Sequence, residues 1–230
     1  MACILSIETS TSVCSVAVSE DDCLFFRKES SAVSSHSALI GSYVEEALGV
    51  VNLRGRTLDA VAVSAGPGSY TGLRIGVSAA KGVCFGCNVP LIAVPTLEIM
   101  AAHMRKQLPD FEGLFCPMID ARRMEVYAAL YDAEGLEVRG VQADIVDKDT
   151  YAAFLAEHDV CFFGNGAEKC MDEIASPRAS YVPDIAPLAS DMMSFAQKAY
   201  AAEDFVDVAY YEPFYLKEYR ATVSKNKVLG

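Results

Sequence analysis

The segment from Gly66 to Gly76 contains the residues of this chain whose types and spacing could bind a phosphate. It follows a short apolar run and opens a helical pattern, where backbone N–H groups and the helix dipole favour an anion. The candidate nucleotide-binding residues are Gly66, Gly68, Ser69, Thr71 and Arg74. The alternative is a purely structural turn, in which Pro67 fixes φ and Ser69 or Thr71 caps the helix.

The spacing of these glycines differs from that of two known phosphate-binding loops. A Walker loop ends in Gly-Lys-Ser/Thr, whereas Gly72 is followed here by Leu73 and Arg74. A dinucleotide-binding turn has its third glycine three residues after the second, whereas Gly72 stands four residues after Gly68. The spacing therefore favours the structural turn and leaves phosphate binding as the second interpretation.

The helix that follows the turn is lined with small residues at intervals of four. Interior glycines destabilise a helix by roughly 0.5 to 1 kcal/mol relative to alanine. Their presence predicts a close approach of backbone, either to the chain's own sheet or to a helix of another chain. Together with an amphipathic helix over residues 35–48, this surface is a candidate interface, and its residues are Leu39, Ile40, Tyr43, Gly72, Gly76, Ala79 and Ala80.

Residues that could perform catalysis or bind a metal are scattered along the chain. The three histidines are isolated, and each is interpreted as a surface residue on a helix. The eight cysteines are expected to be reduced. Cys84 and Cys87 have CxxC spacing, but they lie near the end of a helical pattern, where a thiolate is not stabilised. The sequence predicts no catalytic residue, no metal site and no cofactor.

Phosphoryl transfer on an actin-like fold would need a carboxylate on the first hairpin and a glycine loop opening the second half. Glu8 could supply the first, but Ile119 to Arg123 has bulk and charge where a glycine is needed. Asp120 and Arg122 are interpreted instead as a structural ion pair or an interlobe contact, and Glu8 as part of a capped turn. A peptidase is also disfavoured, since no HExxH helix or Gly-x-Ser-x-Gly elbow is present.

The composition is that of a globular protein with a strongly acidic balance. The chain has 230 residues, 52% hydrophobic and 22% charged, with a formal charge of −12. Lys and Arg supply most of the affinity for nucleic acids, so contact with RNA is expected only indirectly, through a partner. No signal peptide and no membrane span are predicted, so a cytoplasmic location is expected.

The apolar patterns predict an α/β protein in which a strand-rich plan occurs twice. The predicted strands of the first half are 4–9, 13–19, 23–30, 58–65 and 91–94, and its helices begin at Ser34 or Ser35, at the glycine turn and at Thr96. The predicted strands of the second half are 115–119, 125–131, 137–143 and 160–163, and its helices are 148–157, 167–175 and 189–202. Gly49 is expected to mark the frayed end of the first helix. The expected lobes are 1–107 and 108–230.

Four segments of the chain resemble motifs of the TsaB (YeaZ) family. They are Gly66-Pro67-Gly68-Ser69-Tyr70-Thr71-Gly72-Leu73-Arg74-Ile75-Gly76, residues 7–11 with 14–17, residues 119–122 with 125–127, and residues 212–217. Lys217 departs from the pattern, because the family usually has arginine there. The resemblance implies a two-lobed actin-like (ribonuclease H-like) fold, with lobes of the βββαβα type.

That resemblance also implies a function and partners. It implies a non-catalytic subunit for N6-threonylcarbamoylation of adenosine 37 in ANN-decoding tRNAs. It implies pairing with the catalytic paralogue TsaD through helices of the first lobes, self-pairing through the same surface, and association with the ATPase TsaE. An actin-like small-molecule kinase and a peptidase of the M22 type remain the alternatives.

Overall fold

The computed structural model describes residues 2–21, 23–31 and 36–217. The predicted helix caps Ser34 and Ser35 lie outside these residues. None of the described helices is long and apolar enough to cross a membrane.

The first half of the chain folds around a five-stranded sheet with the order β3-β2-β1-β4-β5. Its strands are β1 Cys3–Glu8, β2 Cys14–Glu20, β3 Cys23–Ser30, β4 Ala60–Ser64 and β5 Leu91–Val94. The helices of this half are α1 His36–Leu53, α2 Tyr70–Cys87 and α3 Thr96–Gln107. The first three strands form the predicted antiparallel meander, and β4 and β5 add parallel strands.

The second half repeats this arrangement, with a sheet in the order β10-β9-β6-β7-β8. Its strands are β6 Leu114–Asp120, β7 Glu125–Tyr131, β8 Glu137–Ile145, β9 Val160–Phe163 and β10 Ala179–Val182. Its helices are α4 Ala152–Glu157 and, after a 3-10 helix at Ala189–Met192, α5 Met193–Ala201. Read from the outer strand of each meander, both sheets follow the same order, which confirms the two-lobed actin-like α/β fold.

Helices separate and cover the two sheets. Val77 and Ala80 of α2 and Tyr43 of α1 are buried against one face of the first sheet. The other face packs on Ile99 of α3 and Ala196 of α5. The opposite side of α3 packs on the second sheet through residues such as Leu97, Met100 and Met104. Helix α3 is thus shared by both lobes.

The contacts of the last helix change the predicted division of the chain. Helix α5 and the 3-10 helix before it pack on the first sheet, against β1, β2 and β5. Gln197 also donates a hydrogen bond to the carbonyl oxygen of Ala2 at 2.8 Å. Residues 189–201 therefore belong to the first lobe by their contacts, whereas the sequence interpretation assigned all of 108–230 to the second.

The predicted bounds of two helices, α1 and α4, are wrong. Helix α1 continues past Gly49 to Leu53, because Val51 is still buried in the core. Helix α4 begins at Ala152 rather than 148, because Asp147 accepts hydrogen bonds from the Asp149 N–H and the Thr150 hydroxyl, which form a turn.

The helix predicted over 167–175 is only a 3-10 helix at Glu168–Cys170. In this segment Lys169 reaches across to the β6–β7 turn, and this tertiary contact holds the backbone in short turns. The short strand β10 was not predicted from the sequence.

Candidate functional site

The glycine-rich turn joins β4 to α2 and is held by the chain's own polar groups. The Ser69 side chain accepts a hydrogen bond from Gly72 N at 3.2 Å, which confirms Ser69 as the helix cap. The Ser69 N–H donates to the carbonyl oxygen of Ser10 at 2.7 Å. Gly66 has a φ of +100°, a conformation that L side chains rarely adopt. The turn is therefore built against the end of β1.

The glycines of α2 face the same strand end. A Cβ at Gly68 would overlap Ser10, and a Cβ at Gly72 or Gly76 would overlap Thr9. The Thr9 hydroxyl also donates a hydrogen bond to the carbonyl oxygen of Gly72 at 2.8 Å. The close approach that these glycines permit is therefore to the chain's own sheet.

This packing corrects part of the candidate interface. Gly72, Gly76 and Ala80 are buried within the first lobe and present no surface to another chain. Ile40 and Tyr43 of α1 are likewise 6% exposed and pack in the core. Leu39 and Ala79 are half-buried at the edge of the same core.

A different part of α1 and α2 is exposed. Leu53 and Phe85 are 88% and 89% exposed, which is unusual for large apolar side chains. On the same two helices Gly41, Gly49, Gly82 and Gly86 have no atom of the described chain within 4 Å of an added Cβ. We call these six exposed residues of α1 and α2 the outer helix face. Its four glycines lack side chains, so another backbone could approach closely at those positions. The exposed Glu45 lies one turn from both Gly41 and Gly49 on α1.

The remaining candidate nucleotide-binding residues lie on the surface of the turn. Thr71 is exposed. The Arg74 guanidinium lies 4.5 Å from the centroid of the Tyr70 ring, and its Nε lies 3.4 Å from the Tyr215 hydroxyl oxygen. The two tyrosine rings pack with their centroids 4.8 Å apart. Arg74 is thus engaged by aromatic side chains of its own chain.

Tyr215 belongs to residues 205–217, which we call the return segment because it comes back across the first lobe. Val206 N donates to the carbonyl oxygen of Leu91 at 2.9 Å, and Phe214 N donates to that of Ala65 at 2.7 Å. A Cβ at Gly66 would lie 2.6 Å from the Phe214 carbonyl oxygen. The return segment therefore covers the start of the glycine turn. Its sequence motif was recognised, but its packing could not be inferred from the chain order.

A buried polar cluster lies behind the turn. Glu8 is 0% exposed, and one of its oxygens accepts the Ser10 N–H at 2.5 Å. Burial raises the pKa of Glu8 to about 7, with hydrogen bonding from Ser10 opposing the shift. The other oxygen of Glu8 and the hydroxyls of Ser10 and Ser64 have no hydrogen-bond partner in the described part of the chain. The carboxyl group is sealed from solvent, in a position unsuited to contact a ligand.

The turn between β6 and β7 takes the place where a second phosphate loop would be expected. Asp120 pairs with Lys169, and its side chain also accepts the Arg122 backbone N–H at 3.1 Å. The expected ion pair between the Asp120 and Arg122 side chains is therefore wrong, because Lys169 of the same lobe pairs with Asp120. The alternative, an interlobe contact, stays a prediction. Arg122 and Arg123 are both exposed.

Other titratable groups have structural partners. His103 Nδ1 lies 2.8 Å from Asp191 Oδ2 and joins α3 to the segment before α5, so it is less isolated than its sequence indicated. Burial raises the pKa of Cys84 to about 11, which opposes formation of a reactive thiolate. Among the described residues no three His, Cys, Asp or Glu side chains are grouped as metal ligands.

An open cavity of about 600 Å³ lies away from the turn, with Val13, His103 and Leu188 among its lining residues. None of the candidate nucleotide-binding residues lines it. Nucleotide binding at Gly66, Gly68, Ser69, Thr71 and Arg74 stays a prediction, while the geometry gives all of them except Thr71 structural contacts.

Comparison with known proteins places these features in a family. Residues 30–223 match the family described as "TsaD: tRNA N6-adenosine threonylcarbamoyltransferase". The chain is 30% identical to the tRNA threonylcarbamoyladenosine biosynthesis protein TsaB of Escherichia coli, covering 93% of this chain and 94% of the relative. It is 36% identical to TsaB of Bacillus subtilis over 128 residues, which covers 54% of that relative.

The solved structure titled "YeaZ from Pseudomonas aeruginosa" superimposes with a TM-score of 0.75 at 26% identity, over 94% of this chain and 100% of that chain. A second structure from the same organism, described as an uncharacterized protein with similarity to peptidase YEAZ, gives a TM-score of 0.80 at 25% identity, with the same coverage. The chain belongs to the TsaD family and, within it, to the tRNA threonylcarbamoyladenosine biosynthesis proteins named TsaB.

Proposed function

We propose that this chain is a non-catalytic subunit in N6-threonylcarbamoylation of adenosine 37 in ANN-decoding tRNAs. In this role it pairs with a catalytic paralogue of the TsaD kind, and the ATPase TsaE joins the pair. The observation that carries the proposal is the combination of a filled glycine turn and an open helix face on the same helix α2.

The side chains packed against the glycine turn support the absence of catalysis by this chain alone. Phosphate binding at a glycine turn needs free space above the backbone. Here Thr9 and Ser10 occupy the space beside Gly68, Gly72 and Gly76. Glu8, the carboxylate that phosphoryl transfer would need on the first hairpin, is buried behind the turn, and burial raises its pKa to about 7. A metal-bound nucleotide requires an accessible, ionised carboxylate.

The outer helix face supports pairing with another chain. On association, Phe85 and Leu53 would each remove a large apolar surface from water. Fully burying such a side chain contributes about 1.5 to 3 kcal/mol to the free energy of association. The exposed glycines beside them allow two helices to approach closely, as small residues do at helix interfaces. The same face serves for self-pairing when the paralogue is absent. Leu39 and Ala79, at the edge of the core, extend it.

Reconstitution tests this proposal. The purified chain is mixed with the paralogue, the ATPase, threonylcarbamoyl-adenylate and an unmodified ANN-decoding tRNA, and the modified nucleoside is measured by mass spectrometry. We expect modification only when both chains are present and no turnover by this chain alone. Turnover by the isolated chain, or saturable micromolar ATP binding by it, would instead favour a small-molecule kinase.

A further inference from the structure

The turn between β6 and β7 places two successive arginines in an unfavourable backbone conformation. Arg122 has a φ of 72° and Arg123 a φ of 53°. Positive φ angles are uncommon for residues with a Cβ and are taken mainly by Gly, Asn and Asp. The left-handed conformation costs a residue with a Cβ roughly 1 kcal/mol. Local folding therefore does not explain why arginine stands at both positions.

Neither arginine side chain has a bonded partner within the described part of the chain. Both are exposed, and within residues 2–21, 23–31 and 36–217 neither side chain makes a hydrogen bond, an ion pair or a ring contact. Most other described cations have a partner: Lys28 pairs with Glu46, Arg56 with Glu20 and Arg139 with Asp144. Two adjacent, unpartnered guanidinium groups are thus available to a ligand.

Lys169 holds the turn that carries the two arginines in place. The Lys169 ammonium donates to the carbonyl oxygens of Arg123 at 2.6 Å and Glu125 at 2.8 Å, and it pairs with Asp120. Asp120 N also donates to the Asn165 side-chain oxygen at 2.9 Å. A turn fixed in this way presents its side chains with little loss of backbone entropy on binding.

The charge of the chain is distributed unevenly along its sequence. Residues 217–230 contain four of the chain's 19 Lys and Arg but one of its 31 acidic residues, so this stretch carries +3 and residues 1–216 carry −15. The basic stretch begins at Lys217, which pairs with Glu125 directly after the turn. Lys217 therefore lies beside the turn that carries the two arginines.

We infer that Arg122 and Arg123, beside the Lys217–Glu125 ion pair, form a cationic surface that binds the sugar–phosphate backbone of the RNA substrate. The inference rests on the proposed function, and it revises the expectation that RNA is contacted only through a partner. A net charge of −12 weakens binding of RNA over the whole protein, but phosphate contacts act within a Debye length of about 10 Å. A local basic surface therefore binds RNA even though the chain as a whole is acidic.

Guanidinium groups are well suited to bind the phosphates of RNA. Arginine donates two parallel hydrogen bonds to phosphate and is weakly hydrated. Two successive guanidinium groups on one turn can contact neighbouring phosphates of a nucleic-acid backbone. An acidic protein partner is the competing occupant, and the experiment separates the two.

The test compares tRNA binding of the full-length chain with that of an Arg122→Asn/Arg123→Gly double variant. This variant installs the Asn-Gly pair that the turn geometry favours, so we expect its thermal stability to be equal or higher. The control variant Arg27→Asn/Lys198→Asn removes two other exposed cations that make no hydrogen bond or ion pair within the described part of the chain. Fluorescence anisotropy with an unmodified tRNA transcript is measured over a series of salt concentrations, for the chain alone and for its complex with the paralogue.

We expect the turn variant to lose roughly tenfold in tRNA affinity, and the slope of log K against log salt to fall by about one to two, while the control stays within twofold of wild type. Co-elution with the paralogue should be unchanged, which separates this result from failure of the proposed function. Equal tRNA affinity of the variant and wild type in both formats overturns the inference. Equal losses in the variant and the control overturn it too, because they show a general charge effect. Lost co-elution with retained RNA affinity assigns the turn to an acidic protein partner instead.

Discussion

Thr9 occupies the space that a side chain at position 76, now Gly76, would need. Its hydroxyl group lies where a Cβ at Gly76 would be placed, and the same hydroxyl donates a hydrogen bond to Gly72. Thr9 is 0% exposed, so it cannot rotate into solvent to make room. This contact sets how closely α2 lies on β1, and so where the outer helix face is presented.

Replacing Gly76 with alanine should destabilise the protein by roughly 1 to 3 kcal/mol, since the added Cβ forces Thr9 or the helix backbone to shift. Gly82→Ala on the same helix is the matched control. Nothing in the described chain surrounds Gly82, so alanine there should stabilise by about 0.5 to 1 kcal/mol through helix propensity. Urea denaturation of both variants measures the difference, and equal effects would show that Thr9 does not confine Gly76.

Ser69→Ala should cost about 1 kcal/mol, because the hydroxyl that accepts the Gly72 N–H at the start of α2 is lost. Thr71→Ala removes a neighbouring exposed hydroxyl that does not cap the helix, and it should be nearly neutral. Thermal unfolding of the two variants compares them directly. A larger effect at Thr71 would identify it as the cap.

Phe85→Asp should weaken pairing with the paralogue by at least 30-fold, as expected when a central apolar anchor of an interface is replaced by a charge. The thermal stability of the monomer should change little, because Phe85 is 89% exposed. Leu136→Asp changes a 68% exposed apolar residue of the second lobe and serves as the control. Size-exclusion chromatography and titration calorimetry measure both. Unchanged pairing of Phe85→Asp would remove the outer helix face as the interface.

The stability of the protein should depend on pH through Glu8. The unfolded chain loses this proton near pH 4.5, whereas the folded chain keeps it up to about pH 7. The folded state therefore binds more protons in that window, and the contribution of Glu8 to stability is complete below it and is lost as the pH rises through it.

Glu8→Gln should remove this dependence. Relative to wild type, its free energy of unfolding should rise between about pH 4.5 and pH 7 and then level off, with a total change on the order of 3 kcal/mol. Urea denaturation at closely spaced pH values measures the difference in free energy of unfolding between the variant and wild type. The contributions of other titrating groups cancel in this difference. A constant difference across this range would show that Glu8 titrates normally.

Most strands could be predicted because their apolar runs are short and bounded by turn residues. Four strands have the predicted bounds: Cys23–Ser30, Leu91–Val94, Glu125–Tyr131 and Val160–Phe163. Predictions failed where side chains from elsewhere override the local pattern, as Lys169 does in the 3-10 helix at Glu168–Cys170. Helix α5 shows the same limit on a larger scale, because periodicity identifies a helix but not the sheet on which it packs.

The residue types and spacings of the chain by themselves determined the family, the two-lobed plan and the capped turn at Ser69, because these depend on motifs and local hydrogen bonds. The tertiary structure alone decided which face of α2 is free. Glycines spaced by four predict a close approach, but only the position of Thr9 shows that the approach is to the chain's own first strand. Likewise, the sequence shows only that two arginines are adjacent. The hydrogen bonds from Lys169 to their turn show that the backbone that carries them is held in place.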